Sequence, residues 1–526
     1  MTTTRRQFGL GVLATGAALR AGTQAASAAP GDSPDQRMVV AYDGGAVTLD
    51  PIMRSESTSY AWQRHIFDTL TLQDRQGLPQ PRIATAWKST APDTWRLTVR
   101  SEVTFHDGTI MTADDVGSSI IDAATNPKSQ SHYYVPHVTG YKVVDDHTVD
   151  VAFGEPDPLF PLHVANIPVM PMKLIKRAGR EAFGTHPVGT GPYKFAGWLA
   201  DDHLDLDAWD GFWGTKPAFA HVRLQSIPDA ATRLASLLSG QIQVAEKIGP
   251  PDFLRVKNSG RAYITVLPGT RTIYLAVDTW RKTGSAGMPP GQVNPFLDPR
   301  VRQAVYLGIN VPLIRDKIFN GAATVASQFM PPGLESYEPE LKRLPYDPGA
   351  AKKLLAEAGY PNGFSVRLDA PNDRYLLDSL VAQAIGGLLE PIGIKVQVNA
   401  IPKAVFFPNI DKGDFTMYLA GWGNTDPLST YMALLHCRDL PHGLGHVNRG
   451  HFCDEAADKT MQTAASTFDD AARVTLEREA YAIVERQDFA LIPLYYEDVI
   501  AGVQDGIVWT SRPDELILAW EMTRKA

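Results

Sequence analysis

A β-α-β pattern in the C-terminal half constrains this chain more than any other feature. Residues 364–368 and 394–398 read as short apolar strands, and residues 376–389 between them carry apolar side chains at helical spacing. Two strands joined through a helix lie parallel, and a parallel sheet needs cover on both faces, so the chain falls in the α/β class. A further short segment leads to residues 415–420, Phe-Thr-Met-Tyr-Leu-Ala, which read as another buried strand. Gly421 and Gly423 flank Trp422 and are expected to let its indole lean out at the strand's end. Asp426-Pro427 has the form of an N-cap followed by a first-turn proline. Strand end, indole and helix start converge, and ligands of open α/β sheets bind beyond the carboxyl ends of strands. The competing reading is a core tryptophan beside a tight turn.

Similar signals run along the rest of the chain. Residues 38–42 form a short apolar strand, and 95–99 alternate in the strand manner before the turn His106-Asp107-Gly108. Thr112-Ala113-Asp114-Asp115 resembles a capping box, and residues 143–149 read as a β-hairpin. Residues 229–240 make a helix closed by glycine, with a strand at 242–245 directly after it. Asp298-Pro299 and Asp347-Pro348 each open a helix. The Gly-Thr-Gly of residues 189–191 lacks the Gly-Lys-Ser/Thr ending of a phosphate loop.

At 526 residues the chain exceeds what one hydrophobic core organises, so two or more domains are expected. The formal charge is −8 and the basic residues form no block, which gives nucleic-acid binding no support. Arg5-Arg6 precede an apolar, Gly/Ala-rich stretch at 9–19 and a small-residue cleavage site, Ala26-Ser27-Ala28. That order is a signal peptide of the twin-arginine type over residues 1–28. Its removal takes three arginines and no acids, leaving a mature chain near −11. The only cysteines, Cys437 and Cys453, lie far from that site, so a soluble periplasmic protein fits better than a lipid-anchored one.

The chain resembles the family 5 extracellular solute-binding proteins, the periplasmic receptors of dipeptide, oligopeptide and nickel ABC importers. The pieces that carry the resemblance are Leu49-Asp50-Pro51, Phe105-His106-Asp107-Gly108, Thr112-Ala113-Asp114-Asp115-Val116 and His186-Pro187-Val188-Gly189-Thr190-Gly191-Pro192-Tyr193. They continue with Asp298-Pro299-Arg300-Val301-Arg302-Gln303-Ala304, Tyr346-Asp347-Pro348, Leu354-Leu355-Ala356-Glu357-Ala358-Gly359-Tyr360 and Ile492-Pro493-Leu494-Tyr495. Together they span essentially the mature chain in family order. The resemblance implies a two-lobed periplasmic binding protein fold, type II, cluster C, with an additional small domain. Lobe I would be discontinuous, from residues 29–70, 188–271 and 498–526; the inserted small domain would be 71–187 and the second large lobe, lobe III, 272–497. It also implies a small-molecule ligand, the transmembrane subunits of an ABC permease as partners, a monomer, and neither catalysis nor a cofactor.

The residues expected to meet the ligand follow from the same two sources. Trp422 stands where the family places an aromatic on the second lobe's cleft face, and Asn424 and Asp426 follow on the same loop. The aspartate that pairs with the ligand's amine in peptide-binding members falls here on Gly423, in a loop two residues shorter. Asp426 is either a substitute or a helix cap. Asn372, Asp373 and Arg374 follow a strand and precede a helix; Arg374 suits a carboxylate or phosphate, or Asp373 and Arg374 simply pair. Tyr42, at the end of the first strand, is a candidate from the opposite lobe or a packed strand tyrosine.

His436, Cys437, His442, His446, His451 and Cys453 crowd one loop. A disulfide, free thiols and a metal site are all readings of it; an oxidising compartment favours a Cys437–Cys453 bridge, and no metal is expected. The sequence admits three function classes: a transport receptor whose lobes close on a solute such as a peptide or an opine-like compound, an exported enzyme, and a peptide holdase. A nickel or metal-chelate receptor is the runner-up within the first class. No phosphate loop, Gly-x-Ser-x-Gly or His-Glu-x-x-His supports an enzyme, and the receptor leads.

Overall fold

The computed structural model describes residues 37–53, 57–424 and 426–525. The expected signal peptide lies outside them. No helix among the described residues is long and apolar enough to cross a membrane.

An eleven-stranded mixed sheet forms the backbone of the molecule. From one edge its strands are Ile394–Ile401, Phe364–Pro371, Met417–Gly423, Ala262–Val277 and Leu491–Gln504. It continues through Val244–Glu246, Arg37–Tyr42, His221–Ser226, His203–Ala208 and Tyr193–Leu199, with Thr324–Val325 added against Leu491–Gln504. The predicted β-α-β unit is present: Phe364 pairs with Ile394 through to Pro371 with Ile401, all parallel, with the helix Asp378–Leu389 between them. That helix starts later than its periodicity indicates. Leu377 takes a left-handed φ of 57°, and the Asp378 carboxylate accepts from the backbone of Arg374 and Tyr375, so the preceding residues form a turn.

Two strands, Ala262–Val277 and Leu491–Gln504, run through both halves of the sheet and make the molecule two-lobed. Their antiparallel register breaks midway: Pro268 pairs with Asp498, but the next pair is Thr272 with Tyr496. Three residues, 269–271, therefore oppose Glu497 alone, a bulge that bends the pair. A β-carbon on Gly269 would stand 2.6 Å from the Glu497 carbonyl oxygen, so this close approach requires glycine. The parallel strands on one side of the bend (Arg37–Tyr42, His221–Ser226, Val244–Glu246) belong to the first lobe; those on the other (Phe364–Pro371, Ile394–Ile401, Met417–Gly423) belong to the second.

A separate four-stranded antiparallel sheet orders Ala84–Ala91, Thr94–Val99, Thr148–Phe153 and Val138–Asp145, with the helix Ala113–Thr125 packed on it. The capping box and the hairpin read from sequence are both there: the Thr112 N–H donates to Asp115 at 2.9 Å, and Asp145 pairs with Thr148. Elsewhere helices open on aspartates whose carboxylates accept a backbone N–H of the first turn, as at Asp229, Asp298, Asp347 and Asp426, each worth about 1 kcal/mol. The first lobe and small sheet share one apolar cluster, around Trp62, Phe67, Leu97, Phe105 and Leu518. The second lobe carries two, one around Val305, Leu368 and Ile385 and another around Tyr274, Tyr418 and Tyr431.

Candidate ligand cleft

The antiparallel register of Met417–Gly423 against Ala262–Val277 fixes where the candidate residues lie. Gly423 pairs with Arg271 beside the bend, whereas Met417 pairs with Val277 at the far end of the lobe. The carboxyl end of the Trp422 strand therefore faces the first lobe. Tyr42 and Glu246 mark the carboxyl ends of the first lobe's strands on their side. The two sets of strand ends face each other across the bend, the place where α/β sheets hold ligands.

Trp422 is half-buried: its ring packs on the cluster around Tyr431, and its Nε1 donates to Thr430 Oγ1 at 3.3 Å. The expectation that Gly421 and Gly423 free the indole needs correction. Side chains alternate across a strand, so both glycines face away from Trp422. A β-carbon on Gly421 would come within 2.6 Å of Ile273 and 2.8 Å of the Tyr375 ring, and one on Gly423 would stand 3.6 Å from the Arg271 guanidinium. Gly421 makes room for Ile273 and Tyr375, whereas Gly423 stands at ordinary contact distance from Arg271.

Asn424 is buried and its side-chain amide donates to Thr270 O at 2.8 Å and Thr272 Oγ1 at 3.1 Å, which ties the loop to the bend. Asp426 is 1% exposed; it accepts from Ser429 N at 2.6 Å as the cap of the helix Pro427–Leu434 and lies 3.5 Å from His163 Nε2. Asp373 accepts from Lys403 N at 2.6 Å, at the start of the helix Lys403–Asp411. Asn372 is exposed beside it. Arg374 is half-buried with its guanidinium 5.2 Å from the Tyr375 ring centre. Tyr42 is 1% exposed, meets Trp62 edge-on, and its hydroxyl donates to Ile517 O at 3.0 Å, which places it in the first lobe's core.

Sequence reading missed the charged group at the bend. Arg271 lies 3.2 Å from Glu497, its neighbour on the other crossing strand, and 3.2 Å from Glu515 of the C-terminal segment. Burial alone would raise the Glu515 carboxyl, but Arg271, Lys247 and Arg374 outweigh it and hold the group below the ordinary range. Three cations from three segments thus act on one carboxylate, Arg271 in direct contact with it. On the first lobe, the Asp43 N–H donates to Glu246 at 2.5 Å and Lys247 pairs with Asp43. Burial pushes Glu246 up, so it retains a proton that Asp43, held down beside Lys247, gives up. No local motif marks these residues. Only the return of the C-terminal segment and the crossing of two strands bring them together.

The histidine-rich loop lies at the other end of the lobe, beyond the helix that runs back from Asp426. Cys437 and Cys453 are joined in a disulfide with Cα atoms 4.5 Å apart. The histidines take separate partners: His436 Nδ1 is 2.7 Å from Cys437 O, His442 pairs with Asp439, and His451 stacks on Trp280 at 4.4 Å. Among the described residues no group of three or more His, Cys, Asp or Glu side chains is placed to hold a metal ion.

Comparison with known proteins decides what this architecture is. Residues 79–441 match the model of the bacterial extracellular solute-binding proteins, family 5 middle region. The chain belongs to that family. It is a substrate-binding protein of the ABC-importer type, and its fold is the two-lobed periplasmic binding protein fold. Over 520 residues it is 26% identical to the dipeptide-binding protein of Escherichia coli strain K12, covering 92% of each chain. It is 27% identical over 483 residues to the glutathione-binding protein GsiB of Escherichia coli O1:K1, covering 89% of this chain and 90% of that one. Among solved structures, NikZ from Campylobacter jejuni in complex with Ni(L-His) superposes with a TM-score of 0.76 at 23% identity, over 94% of this chain and all of that one. In this family member the two lobes meet at the bend.

Proposed function

We propose that this receptor captures a small zwitterionic, amino-acid-derived solute, such as a short peptide or an opine-like conjugate, and delivers it to a membrane permease. The observation that carries the reading is the set of groups at the bend: Trp422 and Arg374 on one wall, Asp43, Glu246 and Lys247 on the other, and Arg271 with Glu497 and Glu515 between them. An indole offers a flat apolar face to a peptide unit or side chain, and guanidinium suits a carboxylate geometrically. On the facing wall the ionised Asp43 carboxylate is the group suited to an ammonium. A dipeptide and glutathione, which the relatives' names carry, both have this charge pattern.

We take the lobe boundaries to be those the family resemblance implies: residues 29–70, 188–271 and 498–526, the small domain 71–187, and 272–497. The receptor works as a periplasmic monomer after loss of residues 1–28 and carries out no chemistry. Closure of the lobes around the solute makes the form that the permease recognises.

Native mass spectrometry of the purified mature protein, before and after mild denaturation and dialysis, tests this reading. Release of a zwitterionic small molecule, or a thermal shift with dipeptides, glutathione or opines, is expected. A stabilising response confined to nickel–histidine, with no response to metal-free compounds, would replace the reading with that of a metal-chelate receptor.

A further inference from the structure

The short helix Phe160–His163 sits where two bodies of the protein meet. Phe160 is buried in the cluster shared by the first lobe and the four-stranded sheet, whereas Leu159 and Leu162 are buried in the second lobe's cluster with Tyr274, Leu428 and Tyr431. Beside it, Trp95 of the four-stranded sheet donates from Nε1 to Asp157 O at 2.8 Å, and its ring meets Phe468 of the second lobe at 6.1 Å. The chain passes between these bodies through the two bent strands, so the contacts made by this helix are not enforced by chain connection.

One contact in this group is ionic. His163 Nδ1 lies 2.9 Å from Asp157, on its own body, and Nε2 lies 3.5 Å from Asp426, on the other. The three side chains are 12%, 8% and 1% exposed. We propose that Asp157, His163 and Asp426 form a latch between the lobes: the imidazolium, oriented by Asp157, closes against the carboxylate at the N-terminus of the helix Pro427–Leu434. The inference rests on the two-lobed receptor reading and is independent of which solute binds.

The arrangement suits a contact that must both form and break. Closed, the imidazolium bonds Asp157 and approaches Asp426, while Leu159 N donates to Asp157 and Ser429 N to Asp426; open, each charge returns to water. Leu159 and Leu162 supply non-directional attraction, and the ion pair fixes register. Burial would lower the His163 pKa, but Asp157 and Asp426 outweigh it and hold it up to about 10, so the ring stays charged through the neutral range. Tyr134 of the first body and Glu477 and Tyr481 of the second also lie within electrostatic reach of Asp426. Of these, Glu477 is pushed up to about 8 and is mostly uncharged at neutral pH, leaving His163 as the charge that matters there.

The test is small-angle X-ray scattering of the mature chain and its His163→Gln and Asp426→Asn variants. Each is measured alone and with saturating glycyl-leucine plus glutathione. Asparagine caps a helix as well as aspartate, so Asp426→Asn removes the charge and keeps the local structure. Both variants are expected to have a larger radius of gyration than wild type in at least one condition, with circular dichroism unchanged. If His163→Gln fails to fold, Asp426→Asn alone decides. Scattering curves that superimpose on wild type in both conditions would overturn the latch, and a lowered melting temperature with superimposed curves would make the contact a fixed structural one.

Discussion

Arg271 and Gly423 face each other across the paired strands Ala262–Val277 and Met417–Gly423, with the guanidinium 3.6 Å from where a β-carbon on Gly423 would stand. In peptide-binding relatives, as the sequence resemblance implies, this position carries the aspartate that takes the ligand's amine. Here the space beside it belongs to a cation already paired with Glu497 and Glu515. A distance of 3.6 Å is ordinary contact, so Gly423→Asp is expected to fold. Its new carboxylate should be drawn to Arg271 instead of standing free for an amine. The expected outcome is a melting temperature close to wild type and about tenfold weaker solute binding, ~1.4 kcal/mol by calorimetry. Tighter binding of free-amine peptides would instead show that the aspartate stays available.

Trp422→Ala tests the cleft wall. The indole is half-buried on the lobe's own cluster, so some loss of stability is expected from packing alone. Loss of a stacking anchor should in addition cost about 2–4 kcal/mol of binding energy, read by titration of the released solute. Unchanged affinity with lowered stability would return the indole to the core.

The disulfide and the cleft should prove separable. Cys437 and Cys453 close a loop with a sequence separation of 16, which stabilises the fold by about 3 kcal/mol in the chain-entropy model. The loop lies at the end of the lobe away from the bend. Reduction is therefore expected to lower the melting temperature while leaving solute affinity within about twofold, and a large loss of affinity would place the loop's influence at the cleft.

Stability should fall as the solution becomes alkaline. Glu477 is raised to about 8 by burial, with Arg473 3.5 Å away and opposing the rise, and Glu485 is raised to about 7, also by burial. A carboxyl whose folded pKa lies above its unfolded one stabilises the fold fully below the unfolded value, and the benefit is lost as pH rises through the folded value. The window for Glu477 runs from its ordinary value of 4.5 to about 8. His163, raised to about 10, follows the same rule from 6.5 upward. Melting temperatures should decline between about pH 5 and pH 9, and Glu477→Gln, which cannot ionise, should flatten the lower part of that decline. A variant curve parallel to wild type would remove Glu477 from the account.

Much of the fold was legible because its signals are local. The parallel pairing of Phe364–Pro371 with Ile394–Ile401 follows from two apolar runs and the helix between them. The cap of Asp426 on Ser429 and the capping box of Thr112 and Asp115 follow from residue types at fixed spacing. Trp422 was found in the same way, as an aromatic at a strand end, but its neighbouring glycines were misread because their partners, Tyr375, Ile273 and Arg271, come from other strands and loops. Asn424 gave no local sign that its amide would tie the loop to Thr270, a residue more than 150 positions earlier.

By itself, then, the sequence determined the α/β class, the family and the capped helix starts such as those at Asp298, Asp347 and Asp426, because periodicity and capping act over a few residues. Tertiary structure decided which charges gather at the bend. The bulge that sets residues 269–271 against Glu497 exists only in the register of two strands more than 200 residues apart in sequence. Glu515 reaches Arg271 only after the chain has left the first lobe and returned, and His163 reaches Asp426 only where two bodies meet. Charges assembled over such separations carry no spacing in the sequence; what fixes them is the mutual burial of the elements that bear them.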